Sequence, residues 1–178
     1  MVTTAFVVEV SAAEPAVADL RRRFDASASL GVPPHITLLF PFMSPDEITS
    51  TVIRQSESAL SFVPSFDFSL TQIGRFPTTT YLTPDPAEPF VALTTALVER
   101  FPGYRPYGGV HDGTIPHLTV AHGDAATANS ASIALEERLR MLAPIRTRCS
   151  SVSLLENTSG RWKQMHVFEL PAINVRSR

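Results

Sequence analysis

The five-residue pattern Pro-His-apolar-Thr-apolar decides the fold, and the chain contains it twice. It reads "GVPPHITLLFPFM" at residues 31–43 and "GTIPHLTVAHGD" at residues 113–124. Side chains alternate between faces in a strand, so His35 and Thr37 point the same way, as do His117 and Thr119. The apolar residues between them are placed to anchor each strand in a core. The repeat predicts two equivalent strands, each with a His–Thr pair on one face.

The elements around the two motifs follow the same order, which indicates a duplication. Hydrophobic periodicity predicts strand, helix, motif strand, helix and strand in each half, with an added strand at the end. The distance from His35 to the next strand at Phe66 matches that from His117 to the strand near Thr147. The predicted strands are 5–11, 35–42, 66–73, 78–84, 117–122, 145–156 and 162–170. The predicted helices are 13–24, 46–62, 87–101 and 125–142.

The predicted fold class is α+β, with one bilobal domain over residues 1–178. Its two packed structural repeats cover roughly residues 1–75 and 76–178. Two antiparallel-rich sheets, related by a pseudo-two-fold axis, are expected around a central groove, with the helices on the outside. With only two copies, the repeat is not that of a solenoid.

Composition and charge exclude several classes of protein. The chain has 15 Lys and Arg against 17 Asp and Glu, a net charge of −2, which argues against a general polyanion-binding protein. The "RRRF" run at 21–24 is expected to project its charges into water. The one cysteine, Cys149, is expected to be a buried, inert thiol. The first residues lack a basic signal-peptide region and no apolar run approaches about 20 residues, so we expect a cytoplasmic protein without a membrane span.

Two His–Thr faces that converge on one ligand suit phosphoryl chemistry. Histidine titrates near pH 6.5, so one imidazole can act as a base while the other acts as an acid. The two threonine hydroxyls can steady the remaining phosphate oxygens. Because the histidines would supply the proton transfers, we expect no metal and no cofactor. The spacing of His111, Asp112 and His122 also matches no standard zinc pattern.

The paired motifs "PHITLLF" and "PHLTVAH", with their spacing and flanking helices, resemble the signatures of the two-histidine (2H) phosphoesterase superfamily. The resemblance is to its 2'-5' RNA ligase-like, cyclic phosphodiesterase branch and extends to the final "GRWKQMHVFEL". It implies an active site in the groove between the lobes, with His35 and His117 as the acid/base pair. It also implies that Thr37 and Thr119 bind phosphate. Which histidine is acid and which is base stays open.

The resemblance further implies metal-independent hydrolysis of 2',3'-cyclic phosphates of nucleotides or RNA ends to 2'-phosphates, a reaction of RNA processing. Alternatives are a 2',5'-phosphodiester hydrolase or RNA ligase, and a non-catalytic module that binds nucleotide phosphates. The branch often has arginine five positions after the second histidine, where this chain has His122. This departure favours a small cyclic nucleotide or a short RNA end over long nucleic acid.

Several side chains outside the motifs are candidate substrate contacts. Aromatic residues beside a phosphate site can stack on a base, and a long loop before the second motif can act as a lid. The candidates are Phe42, Tyr81, Tyr107, His122 and Arg161. A monomer is expected.

Overall fold

The computed structural model describes residues 1–109 and 113–173. Within these residues the chain forms eight strands and five α-helices. The strands are Thr4–Glu9 (β1), His35–Leu39 (β2), Phe66–Phe76 (β3), Thr79–Asp85 (β4), Leu118–His122 (β5), Ile145–Cys149 (β6), Ser151–Glu156 (β7) and Lys163–Glu169 (β8). The helices are Glu14–Phe24 (α1), Ala26–Ser29 (α2), Ser50–Leu60 (α3), Glu88–Arg100 (α4) and Ala125–Met141 (α5).

The described strands form one antiparallel sheet in the order β6-β3-β4-β5-β2-β1-β7-β8. The α+β prediction is confirmed. The two predicted sheets are the two four-stranded halves of this sheet, joined where β2 pairs with β5. The two motif strands are therefore neighbours at the centre of the sheet.

The strand order reveals how far the internal symmetry extends. The units β1–α1–β2 and β4–α4–β5 occupy equivalent positions on either side of the centre. The third strands do not, because β3 and β6 pair with each other in one half, with Phe66 opposite Cys149. The predicted alignment of the strand at Phe66 with that near Thr147 is therefore wrong. A boundary near residue 75 also does not separate the halves of the sheet, since β3 and β4 form a hairpin.

One face of the sheet, which we call the core face, carries the main hydrophobic core. Helices α1, α3, α4 and α5 contribute to this core, and α1 packs against β5 while α4 packs against β2. Ile36 and Leu118 are fully buried there. The opposite face, which we call the motif face, carries the alternate residues of β2 and β5. It also has a small apolar cluster that includes Val7, Phe40 and Trp162.

Two element boundaries differ from the predicted ones. Helix α3 begins at Ser50 rather than at 46, because Pro45–Glu47 forms a separate 3-10 turn and the Thr49 hydroxyl accepts from the amide of Val52. The predicted strand 145–156 is two strands interrupted at Ser150. In the part of the chain that the structure covers, no helix combines the length and apolar character needed to cross a membrane.

Candidate active site

The four motif side chains lie on two paired strands and face the same way. Ile36 is opposite Leu118 in the antiparallel β2–β5 pair, with both residues on the core face. By this register His35 is opposite Thr119, and Thr37 is opposite His117. Residues two apart on a strand are about 6.6–6.8 Å apart, and opposite residues have Cβ atoms about 4.5–5.5 Å apart. The four side chains therefore border a patch that matches a phosphate group in size.

Both imidazoles are held by the same kind of hydrogen bond. Nδ1 of His35 lies 2.8 Å from the carbonyl oxygen of Pro33, and Nδ1 of His117 lies 2.7 Å from that of Ile115. A carbonyl oxygen only accepts, so Nδ1 carries the proton and donates it in both rings. This fixes the neutral tautomer and leaves Nε2 as the nitrogen that can take up or deliver a proton.

The two imidazoles differ in their environment. Burial lowers the pKa of His35 to about 4, against a smaller opposing effect of its hydrogen bond to Pro33, and the nearby His117 lowers this pKa further. Burial also lowers the pKa of His117 below its ordinary value. The influence of His117 on His35 makes them an interacting pair, in which a proton on one disfavours a proton on the other.

A buried ion pair supports the first motif from within the protein. Arg21 is 2% exposed and Asp25 is 8% exposed, and Nε of Arg21 donates to the Asp25 carboxylate over 3.0 Å. The same guanidinium donates to the carbonyl oxygen of Val32 and to the Ser27 hydroxyl. The prediction that the whole "RRRF" run projects into water is therefore wrong for Arg21. An acid four residues after Arg21, at the pairing distance on a helix, was the available signal.

The three residues before His35 have every carbonyl oxygen paired. Arg21 donates to Val32, His35 to Pro33, and the amide of Val10 to Pro34 over 2.7 Å. The strand entry is thus fixed by donors from α1, from the motif itself and from the residue that follows β1. These hydrogen bonds fix the backbone from which the His35 side chain extends.

Aromatic rings support the second motif instead. The His117 ring lies 5.4 Å from that of Phe76 and 5.1 Å from that of Tyr81, between centroids. Tyr81 is opposite Thr119 across the β4–β5 pair, and its ring lies over Gly74 on β3. A Cβ on Gly74 would come within 2.2 Å of the Tyr81 ring, so the glycine makes room for it. A glycine within an otherwise alternating strand indicates such a close approach.

Tyr107 touches both motifs. Its hydroxyl is hydrogen-bonded to the Thr37 side chain, and its ring is stacked on His117 with centroids 6.4 Å apart and an interplanar angle of 20°. Two of the predicted substrate-contact candidates, Tyr81 and Tyr107, therefore lie beside the motif side chains. A contact between either of them and a substrate stays a prediction.

The other candidates lie farther away. Phe42 is 4% exposed and packs in the core against Phe6, Phe101 and Tyr104, so its predicted role as a substrate contact is wrong. The cause is the irregular end of β2, where Phe40 rather than Phe42 joins the cluster on the motif face.

His122 and Arg161 lie at the periphery. His122 ends β5, about 10 Å along the strand from Thr119, and its Nδ1 is 2.8 Å from the Thr79 hydroxyl. The Arg161 guanidinium donates to the carbonyl oxygen of Ser29 over 3.0 Å, ahead of the first motif. Among the residues that the structure describes, no three His, Cys, Asp or Glu side chains are grouped as metal ligands. His111 and Asp112 lie outside those residues.

Solved structures share this fold at low sequence identity. Escherichia coli LigT in complex with phosphate aligns with a TM-score of 0.58 and 14% identity, over 96% of this chain and 98% of LigT. TT0787 of Thermus thermophilus gives a TM-score of 0.58 and 16% identity, over 98% of this chain and 100% of TT0787. At these identities the likeness concerns the fold alone.

Sequence comparison extends the likeness to a family. A Bacillus cytotoxicus protein named "Putative phosphoesterase" is 31% identical over 106 residues, which cover 57% of this chain and 58% of that protein. The chain thus matches little more than half of this relative's length. The sequence model of the 2'-5' RNA ligase superfamily matches residues 8–161 and so includes both motifs. The resemblance predicted from those motifs is confirmed: this chain belongs to the 2'-5' RNA ligase superfamily of two-histidine phosphoesterases.

Proposed function

We propose that this protein is a metal-independent phosphoesterase that hydrolyses 2',3'-cyclic phosphates of nucleotides or RNA ends to 2'-phosphates. The observation that carries the proposal is the pairing of β2 with β5, which brings His35, Thr37, His117 and Thr119 onto one patch of the motif face. This patch offers two groups for proton transfer and two hydroxyls for phosphate oxygens, so the chain's own side chains supply the chemistry.

The difference between the imidazoles supports one assignment of roles in the proposed reaction. His35, with a pKa of about 4, is neutral near pH 7 and serves as the base. An anionic phosphate between the rings raises both pKa values, and the repulsion between the rings leaves room for one added proton. Because burial lowers the pKa of His35 as far as about 4, we infer that His117 takes this proton and serves as the acid.

The reaction then proceeds in one in-line displacement. Nε2 of His35 removes a proton from water as its oxygen forms a bond to phosphorus. The bond from phosphorus to the ribose 3'-oxygen breaks, and that oxygen receives the proton from Nε2 of His117. Thr37 and Thr119 donate hydrogen bonds to the non-bridging oxygens, where negative charge accumulates. The product carries a 2'-phosphate, and the two histidines have exchanged protonation states.

The surroundings of the patch support a small nucleotide as the substrate. Tyr81 and Tyr107 offer aromatic surface beside His117, and stacking of a base on such rings contributes about 1–3 kcal/mol. The net charge of −2 disfavours binding to long nucleic acid. LigT structures include complexes with phosphate and with 3'-AMP, which is in keeping with a nucleotide ligand.

A second candidate is hydrolysis of a 2',5'-phosphodiester between two nucleosides. Phe40 and Trp162 lie on the motif face with ring centroids 5.9 Å apart, on the β1 side of the patch, whereas Tyr81 lies on the β4 side. Rings on both sides suit a substrate with a base at each end. Under this candidate, Trp162→Ala weakens turnover of a 2',5'-linked diadenosine and spares that of the cyclic nucleotide.

The deciding experiment is turnover of adenosine 2',3'-cyclic phosphate in excess EDTA, with phosphorus NMR of the product. We expect adenosine 2'-phosphate, formed without metal. A doubly substituted His35→Ala/His117→Ala protein, purified in the same way, controls for contaminating esterases. No turnover of either the cyclic or the 2',5'-linked substrate, with retained phosphate binding, would overturn the enzyme proposal in favour of a binding module.

A further inference from the structure

Tyr107 adopts a backbone conformation that needs support from its surroundings. Its φ of 52° and ψ of 34° place it in the left-handed region, and it is the one non-glycine residue with positive φ in the described segments. Gly108, which follows, also has positive φ. A non-glycine residue held in this way is costly and tends to occur at functional sites.

The support comes from the first motif strand. The amide of Tyr107 donates to the carbonyl oxygen of Phe40 over 2.6 Å, which ties the turn Pro106–Gly109 to the end of β2. This bond fixes the point from which the Tyr107 side chain leaves the backbone. The left-handed geometry and the bond to Phe40 together place the ring beside both motifs.

The side chain then makes one contact with each motif. Its hydroxyl bonds to that of Thr37, and its ring stacks on His117. The residue is 40% exposed, so it borders the open side of the patch rather than the core. Burial of the phenol raises the pKa of Tyr107 by more than its bond to Thr37 lowers it, so the hydroxyl is protonated near neutral pH and able to donate.

We propose that Tyr107 is a positioning residue for phosphate at the two-histidine patch: its hydroxyl orients the Thr37 hydroxyl toward a phosphate oxygen, and its ring orients the His117 imidazole. This inference rests on the proposed function, in that it takes the patch to be the phosphate site. A Thr hydroxyl has one proton to donate, and a phenol that donates to its oxygen leaves that proton for the ligand. Stacking on Tyr107 restricts rotation of the His117 ring about its side-chain bonds.

The test compares two variants that separate the hydroxyl from the ring. Tyr107→Phe keeps the ring, and Tyr107→Leu removes both contacts. The probe is inorganic phosphate, measured by calorimetry, together with kcat and KM for adenosine 2',3'-cyclic phosphate. Tyr104→Phe is the matched control, since Tyr104 lies in the same loop but packs against Phe42 in the core.

We expect Tyr107→Phe to weaken phosphate binding by about three- to tenfold and to raise KM with little change in kcat, as fits loss of one hydrogen bond. Tyr107→Leu should lower kcat as well. If the hydroxyl acts through Thr37, the loss in Tyr107→Phe/Thr37→Val should be no larger than in Thr37→Val alone. A structural role alone would change the melting temperature without this coupling.

The outcomes separate this inference from the proposed function. Phosphate binding of Tyr107→Phe equal to that of the unchanged protein, or losses in the two single variants that multiply in the double variant, would overturn the role of Tyr107. So would a protein that binds no inorganic phosphate. Failure of turnover, with phosphate binding that still depends on Tyr107 through Thr37, would overturn the proposed hydrolysis and support the positioning role.

Discussion

The two motifs share their sequence pattern but differ in what holds them. Beyond the histidine–carbonyl bond that both motifs share, the first is fixed through its backbone, where Val32 and Pro34 also have paired carbonyl oxygens and Arg21 and Asp25 lie beneath. The second is surrounded by side-chain rings, those of Phe76, Tyr81 and Tyr107. A duplicated signature therefore does not imply duplicated environments. General acid–base catalysis uses one protonated and one neutral imidazole, and a difference in environment favours which ring holds the proton.

The largest expected effect concerns the histidines themselves. His35→Ala and His117→Ala should each lower kcat/KM for adenosine 2',3'-cyclic phosphate by about 10²–10⁴-fold, because each removes one proton-transfer group. His166→Ala is the control, since His166 lies on β8 against Phe168. Near-normal turnover by either motif variant, with the control active, would contradict the two-histidine mechanism.

Breaking the buried ion pair beneath the first motif should give the next largest effect, a loss of unfolding free energy. Arg21→Met leaves the Asp25 carboxylate buried without its partner, which should cost about 3–5 kcal/mol of unfolding free energy. Arg22→Met, on the exposed side of the same helix, should cost less than about 0.5 kcal/mol. Urea unfolding measures both. A loss below about 1 kcal/mol for Arg21→Met would mean that the pair does not support the first motif.

The features of the fold and of the site that depend on local sequence patterns were predicted from the sequence. Alternation and helical spacing located the eight strands of the described residues, with 145–156 taken as one, and their four longer helices. Each pattern reflects burial of one face. The two His–Thr pairs predicted the patch, because alternation within a strand places His and Thr on the same face. The shared patch required only that the two motif strands meet.

What the sequence did not predict depends on long-range placement. In the sequence Arg21 belongs to a basic run that is expected to face solvent. In the fold, α1 places it against the carbonyl oxygen of Val32. Alternation from Ile36 and Leu38 would place Phe40 on the core face, but it lies on the motif face because the end of β2 departs from strict alternation. The pairing of β3 with β6 follows from strand order, which no local periodicity encodes. Each difference was decided by contacts between separate elements of the fold.

The third prediction uses pH to compare the two histidines within the folded protein. His35 has a pKa of about 4 when folded and about 6.5 when unfolded, so the unfolded state binds more protons between these values. Stability is therefore complete above pH 6.5 and falls as the pH drops toward 4. Between pH 7 and pH 5 the His35 contribution should be no more than about 2 kcal/mol, since 1.36 kcal/mol corresponds to one pKa unit.

His117 acts in the same direction, so the contribution of His35 has to be isolated. Urea unfolding of the unchanged protein and of His35→Gln at both pH values does so, because the variant should lose less stability on acidification. Ending at pH 5 limits interference from Asp19, Asp124 and Glu156, whose pKa values are lowered from already acidic values. An equal loss in both proteins would mean that His35 is not desolvated in the fold.

The smallest expected effect concerns the ring that distinguishes the second motif. Equivalent positions in the two halves hold Val7, opposite Thr37, and Tyr81, opposite Thr119. Gly74→Ala would force the Tyr81 ring away from β3 and so disturb its contact with His117. We expect kcat/KM to fall about three- to tenfold, in line with the modest cost of overpacking. Gly103→Ala is the matched control, because nothing lies within 4 Å of the Cβ it would add.

The cause of the loss can be separated from a general effect on β3. In a Tyr81→Leu background there is no ring over Gly74, so a further Gly74→Ala change should have little effect on kcat/KM. If Gly74→Ala lowers kcat/KM equally in both backgrounds, the glycine acts through the strand and the ring is incidental to catalysis. If the effect requires Tyr81, then aromatic packing is what holds the second histidine, as backbone pairing holds the first.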